Sequence, residues 1–104
     1  MCGIVGFQLF NKSESNPGEL LHELTNLLTH RGPDTKGYWK SKIDKLYLGH
    51  TRLSIIDLSD EGSQPMESFD KRYVIVFNGE IYNYESLKIK LSTNKSKLKN
   101  VSDT

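Results

Sequence analysis

Cys2 stands directly behind the initiator methionine. Methionine is commonly trimmed when a small residue follows it, and trimming here would leave Cys2 with a free α-amine. One residue would then carry a soft nucleophile and a base of ordinary pKa about 7.7–8.0, suited to moving a proton to and from the thiol at neutral pH. Gly3 and Gly6 would let the backbone approach a substrate closely. Residue 2 by itself is usually an ordinary small residue.

Asn78-Gly79 also has two readings. It is the strongest short signal for a type I′ hairpin turn. It also offers a side-chain amide and a backbone N–H, both suitable donors to a developing oxyanion. Arg52 lies in the largely apolar stretch 46–56. A cation there needs an anion, whether structural or a ligand carboxylate, and its fork fits a carboxylate in bidentate fashion. The histidines His22, His30 and His50 lack metal-ligand spacing, and with one cysteine a zinc site is not indicated. No Gly-rich phosphate loop is present.

These residues need elements to hold them. Residues 4–10 are β-branched and aromatic and predict a first strand. Asn16 as N-cap, Pro17 in the first turn and Glu19 three residues after the cap predict a helix start. Leu20, Leu21, Leu24, Leu27 and Leu28 supply one apolar stripe, and Gly32-Pro33 stops the helix. His22 falls on its polar side. Residues 38–40 and 46–48 flank a polar connection and predict a hairpin. Residues 73–77, Tyr-Val-Ile-Val-Phe, form the most strand-like run and predict burial on both faces. A second helix is expected after Asn83, with Tyr84, Leu87 and Leu91 on one side. Strands around two amphipathic helices imply a sheet covered by helices.

At 104 residues one domain is the ceiling, and 36% hydrophobic content allows a modest core. A net charge of +1 leaves no footprint for nucleic acid or a membrane surface. Five lysines and no acid occupy residues 88–99, which predicts a solvated end. One cysteine cannot form an internal disulfide, in keeping with a reducing cytosol. Neither a signal peptide nor a membrane-spanning run is visible.

The motifs acquire meaning in order. Met-Cys-Gly-Ile-Val-Gly opens the chain; His-Arg-Gly-Pro-Asp follows at 30–34 and Gly-His-Thr-Arg-Leu-Ser-Ile-Ile-Asp at 49–57. Gln-Pro-Met at 64–66, Phe-Asn-Gly-Glu-Ile-Tyr-Asn at 77–83 and Ser-Asp-Thr at 102–104 complete the set. In this order the chain resembles, from end to end, the class II glutaminase domain of glutamine-hydrolysing asparagine synthetases. Sister amidotransferase families share the opening but carry other residues around the arginine. The same branch includes homologues that amidate other acceptors, such as surface sugars or antibiotic intermediates.

The resemblance implies an α+β fold, the four-layer αββα sandwich of N-terminal-nucleophile hydrolases. Residues 1–104 would encode only its first part, without the synthetase domain. It also implies a site. Cys2, freed of Met1, would attack the glutamine side-chain amide and form a thioester, releasing ammonia and then glutamate. Asn78 and Gly79 would form the oxyanion hole, and Arg52 would hold the α-carboxylate. Asp103, with the backbone near Gly79 and Glu80, would hold the α-ammonium. Leu53 joins the substrate-binding set, and Ile55 and Ile56 would shape the pocket largely through backbone. The runs 30–34 and 64–66 are expected to serve loops and packing.

The partner so implied is glutamine, with neither nucleic acid nor membrane, in a cytoplasmic protein. No cofactor is expected in this segment. ATP and magnesium would belong to a synthetase domain or polypeptide downstream, and the complete protein could form a homodimer. The alternatives are another acceptor or an inactive fragment. With much of a sandwich missing, poor independent stability is expected, and an uncovered 73–77 edge would promote aggregation.

Overall fold

A computed structural model describes residues 1–11, 15–54 and 62–92 of the chain, Ser92 through its backbone alone. The elements in order are β1 (Gly3–Gln8), α1 (Pro17–Leu27), β2 (Thr35–Lys40), β3 (Leu46–Arg52), β4 (Met66–Glu67), β5 (Val74–Ile75) and α2 (Tyr84–Ser92). Strand and helix are mixed in an α+β arrangement. β3 is the centre of a three-stranded antiparallel sheet in the order β1-β3-β2, and β4 pairs with β5 in a separate two-stranded ribbon.

The predicted start of α1 is realised. The Asn16 side-chain oxygen accepts from the Glu19 N–H at 3.3 Å, its amide donates to the Glu19 carboxylate at 2.9 Å, and Pro17 sits in the first turn. An acid in that turn also complements the helix dipole. The apolar stripe is rotated from the expected one. Leu21 is buried, Thr25 is wholly enclosed and Leu28 lies against Gly3, whereas Leu27 is 72% exposed. At 3.6 residues per turn, positions 21, 25 and 28 share one direction and Leu27 points well away from it.

Gly49 explains how close α1 comes. A side chain there would run into Thr25 and would meet Leu21 Cδ1 at 3.2 Å, so the helix rests on bare backbone of β3. Successive residues of a strand face opposite sides. His50 and Arg52 therefore share the other face of β3, together with Gly37 and Trp39 of β2. The segment 64–67 packs on that face. Gly37 lies against the Gln64 carbonyl and Pro65, and Trp39 Nε1 donates to Glu67 Oε1 at 2.8 Å. The described residues thus form three layers: α1, the sheet, and the β4–β5 ribbon with its flanks.

The strongest predicted strand is the one most changed. Of 73–77 only Val74–Ile75 is strand, and Tyr73 and Ile75 are 64% and 45% exposed. Burial on both faces needs a layer on each side. Among the described residues Val74, Val76 and Phe77 are half-buried, and the Phe77 carbonyl meets His50 of β3. α2 begins at Tyr84 as expected, yet Leu87 and Leu91 are 38% and 45% exposed. His22 is exposed but stacked on Tyr38, with ring centroids 3.9 Å apart. Leu21 is the apolar side chain most fully buried, while Thr25, His50 and Thr51 are enclosed and polar. Among the described residues no helix is long and apolar enough to cross a membrane.

Candidate active site

Cys2 precedes β1 by one residue, and the register pairs Gly3 with Thr51. Carried back one step, the same register sets Cys2 opposite Arg52, on the face that His50 and Arg52 share. The contacts agree. The Leu53 N–H points at Cys2 Sγ from 3.5 Å, and Sγ stands 4.0 Å from the Leu53 carbonyl. Cys2 is half-buried and unpaired with any other cysteine. Arg52, 8% exposed, is enclosed beside it at the end of β3.

The neighbourhood of the thiol is tied down by residues outside the predicted set. Thr51 Oγ1 accepts from the Gly3 N–H at 3.0 Å and donates to the Leu28 carbonyl at 3.2 Å, linking β1, β3 and the end of α1. Arg31 Nε donates to the Cys2 carbonyl at 3.1 Å. Asp34 Oδ2 accepts from the Ser54 N–H at 2.6 Å, and the Asp34 N–H donates to the Arg52 carbonyl at 3.0 Å. The 30–34 run, expected to serve packing, therefore grips the peptide of Cys2 and the backbone on either side of Leu53. Its signal was a dense polar cluster directly behind a helix, more than a plain loop requires. Met1, His30, Arg31, Pro33 and Leu53 line an open depression, and Met1 is 70% exposed at its edge.

Asn78 is half-buried, and Gly79 and Glu80 are exposed. Asn78-Gly79 is not a type I′ turn, which needs positive φ at both positions. Neither residue has positive φ, and the chain runs on without pairing until α2. His50 connects this segment to β3: its Nε2 lies 3.4 Å from the Phe77 carbonyl. Burial holds the His50 imidazole below its ordinary pKa of 6.5, the Arg52 guanidinium lowers it further, and the bond to Phe77 partly opposes both. Gln64 Oε1 accepts from the Phe77 N–H at 2.5 Å.

One strand thus unites Cys2, Arg52 and Leu53, and its His50 tethers the residue before Asn78. Ile55, Ile56 and Asp103 lie outside the described residues. Among the described residues no group of three or more His, Cys, Asp or Glu could hold a metal ion.

A half-buried thiol at the second residue therefore lies on the same sheet face as an enclosed arginine. The whole chain, residues 1–104, matches the glutamine amidotransferase domain family, and it belongs to that family. It is 40% identical over 108 residues to asparagine synthetase [glutamine-hydrolyzing] 1 of Bacillus subtilis (strain 168), covering 100% of this chain and 16% of that protein. It is 40% identical over 95 residues to asparagine synthetase [glutamine-hydrolyzing] of Brassica oleracea, covering 91% of this chain and 16% of the relative. Amidase chry2 of Gibberella zeae is 40% identical over 101 residues, covering 88% of this chain and 15% of the amidase. The chain therefore spans about one sixth of the length of such relatives.

Proposed function

We propose that the chain is the front part of a glutaminase unit, in which Cys2 cleaves the side-chain amide of glutamine. The observation that carries this reading is the Cys2 thiol held against the Leu53 N–H, at the end of the strand that also presents Arg52. Met1 stands exposed at the rim of the depression, so its removal would leave the Cys2 α-amine beside the thiol.

The chemistry then runs through this chain's own groups. The thiol proton passes to the α-amine as Sγ bonds to the amide carbon, and the carbonyl oxygen becomes an oxyanion facing Asn78 and Gly79. Collapse breaks the carbon–nitrogen bond as the ammonium on Cys2 gives its proton to the departing nitrogen, which leaves as ammonia. Water, deprotonated by the same amine, cleaves the thioester to glutamate and free thiol. Arg52 pairs with the substrate α-carboxylate as a bidentate fork. Asp103 and the backbone near Gly79 and Glu80 take the α-ammonium, and Leu53, Ile55 and Ile56 shape the pocket.

In the complete protein the fold would be the four-layer αββα sandwich, of which α1, the three-stranded sheet and the β4–β5 ribbon form part. Ammonia would serve an ATP- and magnesium-dependent synthetase unit that amidates aspartate, in a cytoplasmic protein able to form a homodimer. No residue of this segment is assigned to ATP or magnesium. The likeness to an amidase as well as to asparagine synthetases keeps a second acceptor in view.

Mass spectrometry after incubation with 6-diazo-5-oxo-norleucine, a glutamine-mimicking alkylator, tests the reading. The expected result is loss of Met1 and a single adduct on Cys2, suppressed by glutamine and absent in Cys2→Ala. A folded chain whose Cys2 stays unmodified would refute catalysis by this chain.

A further inference from the structure

Phe77 is held on both sides of its own backbone. Its N–H donates to Gln64 Oε1 at 2.5 Å and its carbonyl faces His50 Nε2 at 3.4 Å. Both anchoring side chains are enclosed, Gln64 at 8% and His50 at 1% exposure. A carbonyl oxygen can only accept, so Nε2 carries the hydrogen in this contact. Gln64 is itself seated, because its backbone carbonyl lies against Gly37 of β2. The residues between β5 and α2 have no ladder to hold them, since 76–78 carry no regular secondary structure.

We propose that His50 and Gln64 are positioning residues for glutamine hydrolysis, fixing the Phe77–Asn78 peptide so that Asn78 and Gly79 converge on the oxyanion. This rests on the assignment of those two residues as oxyanion donors. Donors accelerate the reaction only when they are already in place as charge develops, which an untethered segment cannot provide. His50 and Arg52 lie two residues apart on one face of β3, about 6.6 Å along the strand. That separation is comparable to an extended glutamine measured from carboxylate to side-chain amide. One strand therefore sets the distance between the anchor for the carboxylate and the anchor for the oxyanion donors.

The test measures amide exchange and steady-state glutamine hydrolysis in the full chain. The variants are Gln64→Met, Gln64→Glu, His50→Leu, Asn78→Ala and the Gln64→Met/Asn78→Ala double variant. Gln64→Met and His50→Leu should speed exchange at Phe77, Asn78 and Gly79 while the β1 and β3 amides keep their protection. Displacing catalytic donors by a fraction of an ångström to an ångström should lower kcat about tenfold or more, with KM within about twofold. Gln64→Glu keeps an acceptor for the Phe77 N–H and should restore most of kcat. Asn78→Ala alone should lose about 10²–10³-fold, and Gln64→Met should cost little more in that background. Unchanged exchange at Asn78 and Gly79, or equal losses from Gln64→Met in both backgrounds, overturns the positioning role alone. An Asn78→Ala chain as active as the parent overturns the oxyanion assignment and this role with it.

Discussion

Thr51→Val should destabilise the protein more than Thr51→Ser does, although valine keeps the volume of threonine and serine does not. Thr51 is wholly buried, and its hydroxyl bridges the Gly3 N–H and the Leu28 carbonyl at 3.0 and 3.2 Å. Valine fills the same space but leaves the Gly3 N–H without its partner, and an orphaned buried donor costs about 1–3 kcal/mol. The Leu28 carbonyl also accepts from the Arg31 N–H at 2.9 Å, so it loses only a second bond. That second bond is worth about 0.5–1 kcal/mol, and a buried methyl returns about 1 kcal/mol, which leaves a net loss of about 0.5–3 kcal/mol, centred near 2. In a chain of this size a loss of about 2 kcal/mol lowers Tm by about 8–16 °C. Serine keeps both bonds and forfeits one methyl, about 1 kcal/mol. Thermal and urea denaturation followed by circular dichroism would rank the pair, and a Val variant that unfolds beside a folded Ser variant agrees with the argument. Valine equal to or more stable than serine would refute it, and would mean that packing rather than the hydroxyl joins β1, β3 and α1.

Three further outcomes can be checked on the same protein. Asn16→Ala removes the cap on the Glu19 N–H and should cost about 1 kcal/mol, visible in the urea midpoint; no change would mean that the first turn frays anyway. His50 has its pKa lowered in the folded protein, so the unfolded chain binds the proton more readily. The stabilisation is complete above the ordinary value and declines as pH falls below about 6.5, a slope that His50→Gln should flatten in denaturation midpoints between about pH 8 and 5. Asp34→Ala releases the Ser54 N–H, and with it the chain beyond Leu53. It should raise KM for glutamine several-fold if Arg52 and Leu53 bind substrate, while alkylation of Cys2 by plain iodoacetamide stays unchanged.

Local signals were legible where local physics decides. The cap at Asn16, the start of α2 and the hairpin of β2 with β3 all follow from residues within a few positions of one another. The rotation of the α1 stripe was not legible, because Thr25 is buried by what Gly49 lacks, and that contact spans the fold. The run 73–77 reads as a doubly buried strand on composition alone, yet Tyr73 and Ile75 stay exposed. Composition states what a segment would bury and cannot state whether another layer arrives to bury it. Cys2, Arg52, Asn78 and Gly79 were nameable from motif and residue type. Arg31, Asp34, His50, Thr51 and Gln64 lay in the same motifs, but each acts on a backbone atom elsewhere in the chain, and residue type alone does not disclose which one.

The register of β1 on β3 is where fold and chemistry meet. Side chains alternate with a period of two, so a slip of one residue would turn Cys2 toward α1 and away from the face of His50 and Arg52. A central strand with little bulk at Gly49, beside β1 with Gly3 and Gly6, is a poor specifier of register by packing alone. The specification comes from polar pins. The Gly3 N–H finds Thr51 Oγ1, and the Cys2 carbonyl finds Arg31 Nε; neither bond survives a one-residue shift. Glycines let α1 and the chain start come close, and the buried hydroxyl and guanidinium then fix where along β3 they come to rest. The enclosed polar residues around this thiol therefore serve alignment before they serve any reaction, which accounts for Thr25, His50, Thr51, Arg52 and Gln64 being buried beside Leu21 among the described residues.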